Sequence, residues 1–172
     1  MSENLIVADG DKQEKWRTLL PQIRELLVDD DDEVSRMANV AAVIHTTFGF
    51  LWTGFYRVRR LTTDPAEGIL TLGPFQGPLA CTRIRYGRGV CGTAWKERRT
   101  LIVDDVERFP GHIACSSLSR SEIVVPVFDT SGAVAAVIDI DSERLATFDQ
   151  TDADALRQVA DWLTAISANE TP

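Results

Sequence analysis

Three cysteines, Cys81, Cys91 and Cys115, fall within one stretch of the chain that is rich in glycine and serine. Free cysteine is ordinarily a small buried hydrophobe, and its sulfur becomes a nucleophile only as the thiolate, which forms at helix N-termini, in loops of backbone amides or beside a cation. Cys115 has neighbours of that kind: His112 and Arg120 flank it, and Ser116, Ser117 and Ser119 offer hydroxyl donors. Cys91 stands at the expected start of a short helix, near Arg88, and Cys81, between Ala80 and Thr82 at an expected strand end, suits a partner sulfur. A packed core thiol is the ordinary alternative for any one of them. Three gathered in a loop-rich region point instead to thiol redox chemistry.

Carboxylates form a second group. Glu122 heads one expected strand, and Asp139 and Asp141 end the strand that follows it, in Val137-Ile138-Asp139-Ile140-Asp141-Ser142. Strand side chains alternate, so Asp139 and Asp141 share a face. Acids amid aliphatic residues are costly unless something binds them, either a ligand ammonium or, structurally, an arginine or a set of backbone amides. Trp52 and Tyr56 also share a strand face, with ordinary core packing as the alternative reading. Zinc is poorly served, because structural sites bring cysteines in close C-x2-4-C pairs, and here three dispersed cysteines and His112 would have to converge. Neither histidine sits in a hydrolase motif, and Gly87-Arg88-Gly89-Val90-Cys91-Gly92 lacks the lysine and hydroxyl ending of a phosphate loop.

Composition narrows the classes further. A chain of 172 residues, 44% hydrophobic, can bury one good core and is short for two, so one domain spanning 1–172 is expected. The net charge of −8 argues against nucleic acid or an anionic membrane as partner. Arg57, Arg59 and Arg60 form the densest basic cluster and suit display to water. Met1 to Asp9 carries only the short apolar run Leu5 to Ala8, which is no secretory segment, and no apolar stretch approaches membrane-spanning length. The expectation is a soluble, cytoplasmic protein whose odd number of cysteines forms no structural disulfide framework.

The elements that must carry these residues follow from periodicity. Trp16, Leu19, Leu20, Ile23, Leu26 and Leu27 recur at helical spacing, with Pro21 expected to kink or divide the segment. The acidic run Asp29 to Glu33 reads as a solvated cap on a second helix whose apolar face is Val34, Met37, Ala38, Ala41 and Ile44. Together these give N-terminal helices over about 11–48. Strands are expected at Leu51 to Val58 and Ile69 to Phe75 around a turn at 62–68, then a short helix over Val90 to Lys96 and a strand at Leu101 to Val103. Asp104 to Ser121 reads as a long ordered loop. A second hairpin, Ile123 to Phe128 and Ala133 to Ile140, completes a sheet-and-site region over about 51–141. A closing helix over about 151–168, with Thr151 and Asp154 as its expected N-terminal cap, turns Leu156, Val159, Ala160, Leu163 and Ile166 inward. Helices at both ends of an antiparallel sheet define the α+β class.

Several strings then resemble a known family: Leu72-Gly73-Pro74-Phe75-Gln76-Gly77, Cys81, Gly87-Arg88-Gly89-Val90-Cys91-Gly92-Thr93-Ala94, Asp105-Val106, Gly111-His112-Ile113-Ala114-Cys115, Ser121-Glu122-Ile123-Val124-Val125-Pro126 and Asp139-Ile140-Asp141-Ser142. They resemble the free methionine-(R)-sulfoxide reductases, stand-alone GAF-domain enzymes, from about Trp52 to Phe148. The resemblance implies a GAF-like, about six-stranded antiparallel sheet flanked by helices, often in a homodimer. It also implies reduction of free methionine-(R)-sulfoxide with thioredoxin as external reductant and no bound cofactor or metal. It makes Cys115 the attacking thiol and Cys81 or Cys91 the resolving one, with Cys91 also a candidate nucleophile. It makes Glu122 and Asp141 the substrate-contacting acids and Trp52 and Tyr56 the aromatic walls at the methyl end; Asp139 is expected to join the acids from its place on the strand face it shares with Asp141. Ser116 departs from the family, where an acid follows the cysteine. A small-molecule-sensing GAF module without turnover is the competing reading; such a module is expected to be fused to an effector domain.

Overall fold

The second and third of the expected helices differ least from their sequence pattern, and the first shows why packing can override a breaker. A computed structural model describes residues 5–28, 32–59, 67–113 and 115–168, with side chains described to 164. Helix α1 runs Lys12–Val28 without division through Pro21. The missing N–H of Pro21 removes one helical bond, but Trp16 and Leu19 before it and Ile23 and Leu27 after it are all buried in one cluster, which holds both halves in line. Helix α2, Glu33–Phe48, is capped by Asp32, whose carboxylate accepts from the Ser35 amide, so the cap expected of the acidic run is realised at that residue; 29–31 lie outside the described residues. Its buried face is Met37, Val40, Ala41 and Ile44, and Val34 is 47% exposed, outside the stripe to which its spacing assigned it.

The strands are β1 Trp52–Arg59, β2 Ile69–Gln76, β3 Arg83–Arg85, β4 Leu101–Val103, β5 Ser121–Phe128 and β6 Val134–Ser142. They form one six-stranded sheet in the order β3-β2-β1-β6-β5-β4, every pair antiparallel. β3 was not expected: Ile84 stands alone between Arg83 and Arg85, with none of the apolar run that marks the equally short β4. The expected turn at 62–68 falls mostly outside the described residues, as does Arg60; Arg57 faces solvent, 4.0 Å from Glu33. Helix α3, Gly89–Glu97, connects β3 to β4, and a single 3-10 turn at Val106–Arg108 lies in the long loop before β5.

Helix α4, Gln150–Ala168, begins one residue earlier than the expected cap allows. Asp149 Oδ1 accepts from the Thr151 amide while Asp152 Oδ2 accepts from the Asp149 amide, so the reciprocal cap is Asp149 with Asp152, and Asp154 instead pairs with Arg157 on the exposed surface. Asp152 is buried and also takes hydrogen bonds from Lys12 Nζ at 2.6 Å and Trp16 Nε1 at 2.9 Å, which ties α4 to α1. The side chain of Ile166 lies outside the described residues.

Alternation divides the core. On one sheet face Phe55, Ile123, Val125, Ile138 and Ile140 pack against α1, α2 and α4. On the other, Trp52, Tyr56, Val124 and Val137 pack against Val90, Cys91 and Trp95 of α3. No helix among the described residues is long and apolar enough to cross a membrane.

Candidate active site

The face covered by α3 collects the chemistry, because register and alternation both direct it there. Trp52 is the Cα partner of Asp141, and Asp141 is the partner of Glu122, so one row across β1, β6 and β5 reads Trp52, Asp141, Glu122. The next row reads Gly54, Asp139, Val124. Residues two apart on a strand share a face, so all three acids and both aromatics point to the same side. Gly54 is required there: a Cβ at that position would meet Trp52 Cη2 at 2.6 Å. The indole instead lies over the glycine, with its ring 5.8 Å from that of Tyr56 and 5.4 Å from that of Phe75.

Helix α3 lowers Cys91 onto these acids. Gly89, at φ 60°, turns the chain into the helix, and a Cβ on it would lie 3.3 Å from Ile113, so the glycine also lets the Cys115 loop close on the helix start. Cys91 is fully enclosed, and its thiol donates to Glu122 Oε1 at a long 3.9 Å. Cys91 Sγ and one oxygen each of Glu122 and Asp139 lie within 4.8 Å of one another, a donor set of the size that could hold a cation. The donors weighed for zinc from the sequence do not converge: Cys81 and Cys115 are bonded to each other as a disulfide, with Cα atoms 5.4 Å apart.

One half of that disulfide, Cys115, lines a cleft together with Cys91, Trp52, Tyr56, Glu122, Asp139 and Asp141. Every expected site residue is therefore in one place, with Cys81 bonded to the lining cysteine and its carbonyl accepting from Tyr56 Oη at 3.0 Å. Ser119 was expected to serve the Cys115 thiol, and it donates to Asp141 Oδ1 instead. The sequence offered no signal for that contact, which depends on how the loop folds back over β6. His112 also lines the cleft, and burial lowers its pKa, so at neutral pH it is uncharged and not the cation its spacing suggested. Ile84 and Leu79 are also among the lining residues and were not anticipated.

The electrostatics follow from enclosure. Burial, then the charges of Asp139 and Asp141, push the Glu122 carboxyl well above the usual carboxylate range; burial and the Asp141 charge do the same to Asp139. Burial lifts Asp141 to about 6, with the Ser119 hydroxyl acting against it. The Cys91 thiol is raised by burial, then by Asp139 and Glu122, so it is held protonated. Tyr56 is raised for the same first cause. Among the described residues, the buried Asp139 Oδ1 and Trp52 Nε1 have no hydrogen-bond partner. Such a site can donate a proton from a neutral carboxylic acid, and it can take up a cationic group that relieves the crowding of acids.

Known proteins share this plan. The family model of the GAF domain matches residues 32–166. The chain is 51% identical over 159 residues to GAF domain-containing protein A of Dictyostelium discoideum, spanning 92% of this chain and 96% of that one. It is 35% identical over 158 residues to the free methionine-R-sulfoxide reductase of Escherichia coli strain K12, spanning 91% of each. Among solved structures it is similar to free methionine-R-sulfoxide reductase from Neisseria meningitidis in complex with its substrate, with a TM-score of 0.88, 50% identity, and coverage of 95% of this chain and 94% of that one.

Proposed function

Since this chain belongs to the GAF-domain family and, within it, to the free methionine-(R)-sulfoxide reductases, we propose that it reduces the R epimer of free methionine sulfoxide by a cysteine sulfenic acid route. The observation that carries the reading is the Cys81–Cys115 disulfide, whose Cys115 lines the same cleft as Glu122, Asp139 and Asp141. An attacking and a resolving thiol leave such a bond behind.

In this reading the substrate ammonium lies among the acids and offsets their crowding, with the unpartnered Asp139 Oδ1 as one acceptor. The methyl end of the substrate rests against Trp52 and Tyr56. Cys115 as thiolate attacks the sulfoxide sulfur, and a carboxyl kept neutral by burial protonates the oxygen. The sulfur–oxygen bond breaks, the oxygen passes to Cys115 as sulfenic acid, and methionine leaves. Cys81 then attacks the Cys115 sulfur, water departs, and the disulfide forms. Two electrons from a dithiol such as thioredoxin restore both thiols. Cys91 stays a thiol throughout: its enclosure among acids disfavours the thiolate that either role needs. No bound cofactor enters this scheme, and a reducing cytoplasm, with the chain as one domain in a homodimer, is its setting.

A sensing module without turnover would use the same acids and aromatic wall but has no use for a thiol pair. The test is NADPH consumption with thioredoxin, its reductase and each epimer of free methionine sulfoxide. Turnover of the R epimer alone is expected. Binding of either epimer without NADPH consumption would establish the sensing role instead.

A further inference from the structure

Charge on this chain is segregated around the disulfide. Residues 68–96, which carry Cys81, and 108–121, which carry Cys115, hold 6 of the 18 Lys and Arg and none of the 26 Asp and Glu. Those segments are basic, and the remainder of the chain is strongly acidic. Arg83, two residues after Cys81, and Arg88, whose neighbour Gly89 abuts Ile113 of the Cys115 loop, are exposed. Among the described residues neither is in an ion pair, and Arg108, also exposed, has one at 3.3 Å to Asp105. Of the acids of the cleft, Glu122 and Asp139 are buried and Asp141 is half-buried.

The same rim is apolar at its centre. Leu79, two residues before Cys81, is 88% exposed, and Leu118, three residues after Cys115, is 55% exposed. The bond between the two cysteines, with Cα atoms 5.4 Å apart, joins the two short segments that carry these leucines. Exposed leucines within a few residues of each cysteine of a bond that must be attacked from outside are what a contact face needs.

We propose that this rim is the docking surface for the reductant of the disulfide, a small dithiol protein that presents an apolar face ringed by carboxylates. This rests on the reading above that the Cys81–Cys115 bond is turned over. A thiolate of the docked protein attacks one sulfur of the pair, the Cys81–Cys115 bond breaks, and a mixed disulfide forms while the released sulfur takes a proton. The second thiol of the partner then attacks its own sulfur in the mixed disulfide, which frees the other cysteine and leaves the partner oxidised. The basic rim raises the encounter rate and fixes orientation, and the leucines exclude water around the sulfurs.

The test follows thiol release from the oxidised full-length protein, with no methionine sulfoxide present, using reduced thioredoxin or dithiothreitol as probe. The double variant Arg83→Glu, Arg108→Glu is expected to lower the second-order rate with thioredoxin about ten-fold or more at low salt, and Leu118→Ser a few-fold, while both variants keep their dithiothreitol rates within about two-fold. The wild-type rate with thioredoxin should fall as salt rises from about 20 to about 200 mM, and that slope should vanish in the double variant. Unchanged thioredoxin rates in the variants, equal losses with dithiothreitol, or a wild-type rate indifferent to salt would overturn the inference. Because substrate is absent, failure here leaves the methionine assay to judge the reductase reading by itself.

Discussion

Glu122 and Asp141 stand directly opposite each other as Cα partners on β5 and β6, a buried and a half-buried carboxylate in the same row of one sheet. Like charges so placed repel, and burial removes the water that would screen them. With Asp139 one row away on the same face, the sheet holds three acids where ordinary core would hold valine. Burial and this crowding hold the carboxyls above their ordinary range, and on the proposed reading a bound ammonium would relieve it.

A consequence for stability has a definite sign. A carboxyl whose folded pKa lies above its unfolded value adds stability that is fully present below the unfolded value and is lost as pH rises through the folded one. For Asp141 that window runs from its ordinary 3.8 to about 6, and for Glu122 and Asp139 the loss continues higher. Asp149, lowered by Lys12, works oppositely and defends the fold until more acid conditions. Asp141→Asn should therefore raise the melting temperature at neutral pH, by the equivalent of about 1–3 kcal/mol, and have little effect near pH 4. Thermal melts at both pH values check this; a variant less stable at neutral pH would contradict it.

The division of labour among the cysteines is open to single-turnover chemistry. Cys115→Ser should release no methionine, Cys81→Ser should release one equivalent and then stop, and Cys91→Ser should release one equivalent and still form the Cys81–Cys115 bond. Quantified methionine with mass spectrometry of the oxidised variants measures all three. Full single-turnover yield from Cys115→Ser would move the attack to Cys91.

On the proposed reading, acetylating the substrate amine removes the charge that the acids bind and leaves a carboxylate of the cleft unpaired. A loss of on the order of 2–5 kcal/mol, some thirty-fold to several-thousand-fold in kcat/KM, is expected for N-acetyl methionine sulfoxide. Asp141→Asn should weaken the free substrate and so narrow the gap between the two compounds. Comparable wild-type rates on both would remove the acids from substrate binding.

Tyr56 Oη donates to the carbonyl of Cys81 at 3.0 Å, and in the proposed scheme this would make it a positioning residue for the resolving thiol. Tyr56→Phe keeps the aromatic wall and loses this bond, at a cost of about 0.5–1.5 kcal/mol to stability. The first turnover should proceed near the wild-type rate while disulfide formation slows. Rapid-quench measurement of methionine and of disulfide separates the two steps, and an equal slowing of both would refute the positioning role.

Much of this was legible along the chain because it is local. The alternation in Val137 to Ser142 already commits Asp139 and Asp141 to one face, the helical spacing of Trp16, Leu19, Ile23 and Leu27 survives even Pro21, and the loop-rich setting of the cysteines marks them for chemistry. Short or competing signals were lost: β3 offers only Ile84 between two arginines, and two aspartates near the start of α4 offered rival caps that only the geometry of Asp149 and Asp152 resolves.

The chain by itself determined which residues could react and which faces they occupy, since residue type and strand period are properties of neighbours in sequence. Tertiary structure alone decided which of them meet. Strand register sets Glu122 opposite Asp141, loop closure joins Cys81 to Cys115 across a separation of 34 residues, and the burial of Cys91 by α3 against acids leaves it a protonated thiol. Pairing, burial and the pKa shifts they produce depend on contacts between distant segments, and no local pattern encodes them.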